Sequence, residues 1–210
     1  GMNIARLNFS HGTHHSHKKI IEQIRKVNKV RQYPIAIMLD TQGPEIRTGD
    51  KEITLISGKR VCVTVPPNEE SEGTLFVNYV DLKDDMKEGS CISLDGGLMS
   101  LKVCGKNKKG IECEVIDGGV VKAHRHVNLP GAIVKLPGIT ETDKQDILFG
   151  IEQKVDVIAL SFVRSSETIR EVRASLGVYA KNIKLIAKIE NQEGVERLEE
   201  IVQESDGIMV

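Results

Sequence analysis

Four segments of the chain each close an apolar stretch with polar residues able to act together. The run MNIARLNFSHG sets Arg6, Asn8 and Ser10 at alternate positions, with His11 and Gly12 following. Side chains of an extended strand alternate between its faces, so those three share one face. IAIMLD closes on Asp40 and Thr41 and runs on through Gly43-Pro44 to Glu45 and Arg47. VIALSFVR ends in Ser161, Phe162, Val163 and Arg164, and LIAKIEN sets Lys188 and Glu190 on one face of a fourth strand. Guanidinium and ammonium groups suit a multiply charged oxyanion such as phosphate, and Glu190 is a hard oxygen ligand of the kind Mg²⁺ takes. Asp40 with Asn8, Ser10 and Thr41 offers neutral oxygens around one charge, a donor set better matched to a monovalent cation. An ionisable residue at one strand end can equally be half of a structural ion pair. Four such ends with coherent chemistry point to phosphoryl transfer, where positioning and charge stabilisation carry most of the catalysis.

The elements that must hold these residues follow from periodicity. From Asn3 to about Pro44 the order is strand (Ile4 to Phe9), helix, strand (Ile35 to Leu39). The helix carries Ile20, Ile21, Ile24, Val27 and Val30 and is ended by Pro34. Between Glu45 and Val134 the pattern becomes short alternating runs with frequent turns. Val61, Val63 and Val65 alternate with Cys62 and Thr64, and Asp95-Gly96-Gly97, Gly105 to Gly110 and Gly118-Gly119 read as hairpin turns. From Leu136 the helix and strand alternation resumes, with helices near 142–153 and after Ser165 and strands 157–163 and 183–189. A further single helix carries Val195, Leu198, Ile201 and Val202 on one face, and Gly207 to Val210 begins another strand. Five strands of β/α type fit an open sheet or part of a (β/α)₈ barrel, which takes ~250 residues when whole. Both ends of the chain read as truncated.

Composition excludes several classes. The 210 residues carry 29 basic and 30 acidic side chains, a net charge of −1, which argues against nucleic acid and anionic membranes as partners. The longest apolar run, Ile35 to Leu39, is far short of the ~18 residues of a membrane span, and no signal-peptide pattern opens the chain. At 40% apolar and 28% charged the chain is globular in character. Cys62, Cys91, Cys104 and Cys113 form no CxxC pair and read as reduced thiols buried as small hydrophobes in a cytoplasmic protein. Aromatics make up 3%, so the core rests on Ile, Val and Leu, as a parallel sheet buried on both faces requires.

MNIARLNFSHGT (Met2 to Thr13), LDTQGPEIRTG (Leu39 to Gly49), VNLPG (Val127 to Gly131), ALSFVR (Ala159 to Arg164) and KIENQEGVE (Lys188 to Glu196), with SDGIMV at the end, resemble the motifs of pyruvate kinases in order and spacing. The resemblance covers essentially the whole chain. It implies an α/β fold, a partial TIM (β/α)₈ barrel (the A domain, 1–44 and 135–210) with an inserted all-β B domain, the lid, at 45–134. It implies transfer of phosphate from phosphoenolpyruvate to ADP, giving pyruvate and ATP in glycolysis, with Mg²⁺ (or Mn²⁺) and K⁺, in a parent enzyme that is a homotetramer. Arg6 would hold the phosphate of phosphoenolpyruvate, and Lys188 would stabilise the phosphoryl group in flight and the developing enolate. Glu190 would ligate Mg²⁺, and Asn8, Ser10, Asp40 and Thr41 would ligate K⁺. Asn8, Phe9, Ser10 and His11, with Arg47 across the cleft, would meet the nucleotide phosphates. Arg125 stands where the family usually has a nucleotide-contacting Lys, and Gln42 where many members have Lys. The family's ARGDLG motif, with its second Mg²⁺ carboxylate, is absent from these 210 residues, and Asp206 cannot replace it, so the stretch by itself is expected to be inactive.

Plainer readings apply elsewhere. His14, His15 and His17 read as solvated histidines at a helix start rather than a zinc site, and Glu199, Glu200 and Glu204 as a solvated face. Two competing functions are a weak nucleotide-binding module and a metal-dependent aldolase-type barrel, since a strand ending in Lys-Ile-Glu also suits an enolate.

Overall fold

Strand β1 (Ile4–Asn8) leads through Gly12 into helix α1 (His14–Asn28), and β2 (Ala36–Asp40) returns parallel to β1. Thr13 starts the helix with a reciprocal capping box: its hydroxyl oxygen accepts from Ser16 N at 3.2 Å, and Ser16 Oγ accepts from Thr13 N at 2.9 Å. Asn28 ends it. Its side chain donates to Ile35 O at 2.9 Å and accepts from Ile35 N at 2.8 Å, which folds the chain back before Pro34 is reached. Val30 therefore lies beyond the helix and is exposed, as are Ile20 and Val27. The buried stripe is Ile21 with Ile24 partly covered, narrower than the periodicity predicts. The computed structural model describes residues 1–68, 72–132 and 134–210. Contacts divide the chain into two units, Gly1–Pro44 with Leu136–Val210, and Glu45–Lys135.

The second unit is built from β3 (Ile53–Leu55), β4 (Arg60–Thr64), β5 (Thr74–Phe76), the short helix α2 (Leu82–Asp85), β6 (Cys91–Leu94), β7 (Met99–Lys106), β8 (Gly110–Asp117), β9 (Gly119–Val121) and β10 (Val127–Asn128). Its larger sheet has the order β10-β6-β7-β8-β4-β5, and β3 pairs with β9 in a second. Val61, Val63 and Val65 are all buried, as their alternation predicts. Asp95–Gly97 and the turn before Gly110 join antiparallel neighbours. Gly118-Gly119 does not: β9 leaves β8 to pair with β3, so this pair carries the chain from one sheet to the other and is not a hairpin turn. The cysteines also divide. Cys113 is core, and burial pushes its thiol up to about 12; Cys62 and Cys104 are half-buried, and Cys91, on an outward position of β6, is exposed. Buried Tyr79 donates its hydroxyl to Asp85 and accepts from Lys135 N at 2.8 Å, which ties the last residue of this unit to its interior.

The first unit resumes with α3 (Glu141–Glu152), β11 (Val157–Leu160), α4 (Ser166–Leu176), β12 (Lys184–Lys188), α5 (Gln192–Glu196), α6 (Leu198–Glu204) and β13 (Gly207–Met209). Its sheet, in the order β1-β2-β11-β12-β13, is parallel throughout and is the curled half-sheet of a partial (β/α)₈ barrel. Leu7, Leu39, Ile158, Leu160 and Leu185 pack beneath Ile21, Ile147, Ile169, Val172 and Ile201 of the helices. Met38, Val157 and Ala159, at alternate strand positions, form a separate cluster with Ile186 and Met209. The helix predicted around residues 195–202 is broken at Arg197 (φ −106°, ψ 18°). Ile201 is buried, while Val195 before the break and Leu198 and Val202 after it are exposed.

An aspartate stands at the foot of two strands. Asp156 Oδ2 accepts from Ile37 N of β2 at 2.7 Å, and Asp206 Oδ2 accepts from Leu185 N of β12 at 3.0 Å. Each satisfies an amide at the start of the neighbouring strand. Burial raises the Asp206 carboxyl, but the Leu185 amide, Lys184 (3.0 Å) and Arg173 (3.1 Å) outweigh it and hold the group below the usual carboxylate range. A depressed folded value stabilises the fold above the ordinary carboxylate pKa of about 3.9, and that contribution disappears as pH falls through the folded value. Asp206→Ala is expected to cost about 1–3 kcal/mol at neutral pH. Urea unfolding across pH should show the two proteins converging in acid.

Candidate functional site

Asp40 is the last residue of β2, is 1% exposed, and is the partner of Asn8 in the β1–β2 register. A carboxylate so buried needs compensation, and two strands supply it. From β1, Arg6 donates from Nε to Oδ2 at 2.5 Å and from Nη2 to the same oxygen. From β12, Lys188 places Nζ 3.2 Å from Oδ1. The Lys188 ammonium also donates to Ser161 Oγ at 2.8 Å and lies 3.2 Å from Glu190 Oε1. Ser161 in turn donates to Thr41 O at 2.6 Å, and its own amide donates to Thr41 Oγ1 at 3.1 Å. Glu190 Oε2 accepts from Phe162 N at 3.1 Å. Arg6, Asp40, Thr41, Lys188 and Glu190, predicted to act together, thus lie in one hydrogen-bonded network at the carboxyl ends of β1, β2, β11 and β12, where β/α folds carry their chemistry.

Asn8, Ser10 and His11 continue from the end of β1. Asn8 Oδ1 accepts from Ser10 N at 3.0 Å, His11 N donates to Asn8 O at 3.3 Å, and Phe9 N donates to Asp40 O at 2.9 Å. The Phe9 ring packs on His17 and Phe149, which leaves its backbone to serve the site. The histidines divide: His14 and His15 are exposed, as expected of a helix start, whereas His17 is not. His17 is buried against Phe9, and His14 stacks on Phe149 with Nε2 2.5 Å from Asp146 Oδ1.

Two residues that sequence reasoning left without a role hold the network. Ser161 was visible only as part of a strand end. Asp143 caps α3, with Oδ2 accepting from Thr140 N at 2.9 Å, while Oδ1 accepts from Gly43 N at 2.9 Å. The Thr140-x-x-Asp143 spacing of a capping box was its only signal. Gly43 (φ +76°) needs to be glycine, because a Cβ would stand 2.8 Å from Ser161 Cβ and 2.9 Å from Ser161 O. Arg164 contributes elsewhere: its guanidinium donates to Leu136 O and Pro137 O and lies near Glu193, so it braces the segment leading to α3.

Arg47 and Arg125 belong to the second unit and are brought together there. Thr48 N donates to Arg125 O at 2.8 Å, and Arg47 forms a β-bridge with His126. Arg47 pairs with Glu45 and donates to His124 O at 2.7 Å, and Arg125 lies 3.7 Å from Asp95. Among the described residues no group of three or more His, Cys, Asp or Glu side chains is set to hold a metal. The donor chemistry still fits the two cations. Glu190 is a partly exposed carboxylate, one ligand of a hard-oxygen shell, and Asn8, Ser10, Asp40 and Thr41 offer one carboxylate among neutral oxygens at adjacent strand ends. No helix among the described residues is long and apolar enough to cross a membrane.

Removing one member of this buried pairing leaves its partners uncompensated. Asp40→Ala is expected to lower unfolding free energy by about 3–5 kcal/mol, and Ser161→Ala by about 1–3 kcal/mol, both read by urea titration.

The family model for pyruvate kinase, barrel domain, matches residues 1–210. A pyruvate kinase from Staphylococcus aureus (strain MRSA252) is 47% identical over 215 residues, covering 100% of this chain and 37% of that protein. Plastidial pyruvate kinase 2 from Arabidopsis thaliana is 42% identical, with 100% of this chain and 37% of that protein covered. Pyruvate kinase PKLR from Homo sapiens is 44% identical, with 100% and 39% covered. The chain thus spans well under half the length of these relatives.

Proposed function

The chain belongs to the pyruvate kinase family, and from that premise we propose that the whole protein transfers the phosphoryl group of phosphoenolpyruvate to ADP, giving pyruvate and ATP in cytoplasmic glycolysis. The observation that carries this reading is the sharing of one buried carboxylate by two cations from different strands, Arg6 Nε on Asp40 Oδ2 at 2.5 Å and Lys188 Nζ on Asp40 Oδ1 at 3.2 Å. Two fixed positive groups beside one another suit a group whose charge is spread over several oxygens. Arg6, the more exposed of the two, binds the phosphate of phosphoenolpyruvate. Lys188 stabilises the phosphoryl group in transfer and the enolate oxygen left behind. Asn8, Ser10 and His11 with the Phe9 backbone bind the nucleotide phosphates, and Arg47 and Arg125 are the second unit's own candidates for phosphate contacts. Glu190 would hold Mg²⁺ or Mn²⁺, which neutralises phosphate charge when bound, and Asn8, Ser10, Asp40 and Thr41 would hold K⁺.

These 210 residues supply one carboxylate for the divalent ion, so they are expected to bind but not to turn over. The whole protein should form pyruvate in a coupled assay in a K⁺-dependent manner, and the 210-residue stretch should give no rate above buffer. In the whole protein Lys188→Met should lower kcat about 100-fold or more, the scale of losing one preorganised charge at the reacting group. A K⁺-independent enzyme, or a Lys188→Met variant with unchanged kcat, would sink the reading.

A further inference from the structure

The turn from Asn8 to Gly12, assigned above to nucleotide phosphates, is held in shape by α1 behind it. His17 is 7% exposed, and its ring stacks on Phe9 with centroids 4.1 Å apart and planes 13° from parallel. His17 Nε2 lies 2.9 Å from the carbonyl oxygen of His11. A carbonyl only accepts, so Nε2 carries the proton and donates. Among the described residues His17 Nδ1 has no hydrogen-bond partner, so the buried ring directs its polar contact at the turn. The chain also passes close over it: at Gly12 (φ +83°) a Cβ would stand 2.9 Å from Ser16 Oγ and 3.2 Å from His17 Nε2. The helix start beneath is fixed independently by the His14–Phe149 stack and the His14–Asp146 contact.

A buried imidazole with one nitrogen unsatisfied is a poor way to fill space, since Leu or Phe would pack there without burying a lone pair. Its distinguishing effect is on one peptide. In a planar trans peptide the N–H points opposite to the C=O. With the His11 carbonyl drawn toward His17, the Gly12 N–H faces away from α1, and Gly12 is itself exposed, so that donor is open to a ligand.

We propose that His17 is a positioning residue for the nucleotide site: its Nε2–H locks the His11–Gly12 peptide so that the Gly12 N–H is presented to the diphosphate of a nucleoside diphosphate. The identity of the ligand rests on the functional reading above; the lock on the peptide does not.

Nuclear magnetic resonance on the 210-residue chain separates the two. A long-range ¹H–¹⁵N spectrum of the unmodified protein should show His17 as the Nε2–H tautomer, and an Nδ1–H tautomer would overturn the proposal without any variant. His17→Phe keeps a ring against Phe9 but removes the donor, whereas His17→Gln keeps a donor near the Nε2 position. His17→Phe should displace the Gly12 amide resonance and weaken binding of Mg²⁺–ADP about 10-fold, the scale of one hydrogen bond, while His17→Gln stays within about threefold of the parent. Equal behaviour of the two folded variants, whether both normal or both impaired, overturns the lock. If the unmodified chain binds no Mg²⁺–ADP, the nucleotide reading fails, and the tautomer and the Gly12 resonance still decide the role of His17.

Discussion

The first unit depends on how a carboxylate survives almost without solvent at the end of β2. Arg6 reaches Asp40 from β1 and Lys188 reaches it from β12. Isolated burial of any one of these charges would cost several kcal/mol. The pairing therefore constrains the parallel register of β1 and β2, in which Asn8 and Asp40 are partners, and the placing of β12 on the far side of β11. A shift by one residue would turn Asp40 to the opposite face of the sheet and leave two cations facing apolar neighbours.

The same logic runs along the sheet in milder form. Asp156 and Asp206 satisfy backbone amides at the strand feet, and Asp143 joins the cap of α3 to Gly43 beyond the end of β2. In each case a side chain outside a strand accepts from backbone that the parallel ladder leaves over. The polar side chains at both ends set register, while the Leu, Ile and Val between them supply burial that would tolerate many registers.

Much of this was legible in the sequence because its physics is local. Strand alternation put Arg6 and Asn8 on one face of β1, and the apolar runs marked the five parallel strands, but Ser10 and Glu190, expected on those strands, lie beyond the ends of β1 and β12. What could not be read depended on partners far along the chain. The stacking of His14 on Phe149 and its contact with Asp146, both of α3, are of this kind, and nothing between residues 11 and 17 announces them. Ser161 looks like any hydroxyl at a strand end until Thr41 and Lys188 are brought to it. Val195, Leu198 and Val202 share a helical period with Ile201, yet only Ile201 is buried and the helix breaks at Arg197. Periodicity cannot foresee that break, because Arg197 is a good helix former held by Glu167, Glu193 and Glu200.

The two cations on Asp40 are not equivalent, and the difference has chemical content. Arg6 has five N–H donors, commits Nε and Nη2 to the carboxylate, and has a side chain 51% exposed. A phosphate can bind the remaining donors without displacing anything. Lys188 has three N–H donors, three oxygens around it from Ser161, Asp40 and Glu190, and a side chain 11% exposed. A phosphoryl oxygen reaches Lys188 only by taking the place of one of those oxygens. That exchange is favourable in proportion to the charge the incoming oxygen carries. In the phosphoryl transfer proposed above, binding energy at Arg6 would therefore be available to the ground state, while that at Lys188 would grow as charge develops during transfer, which is the condition for an interaction to raise kcat rather than only tighten binding.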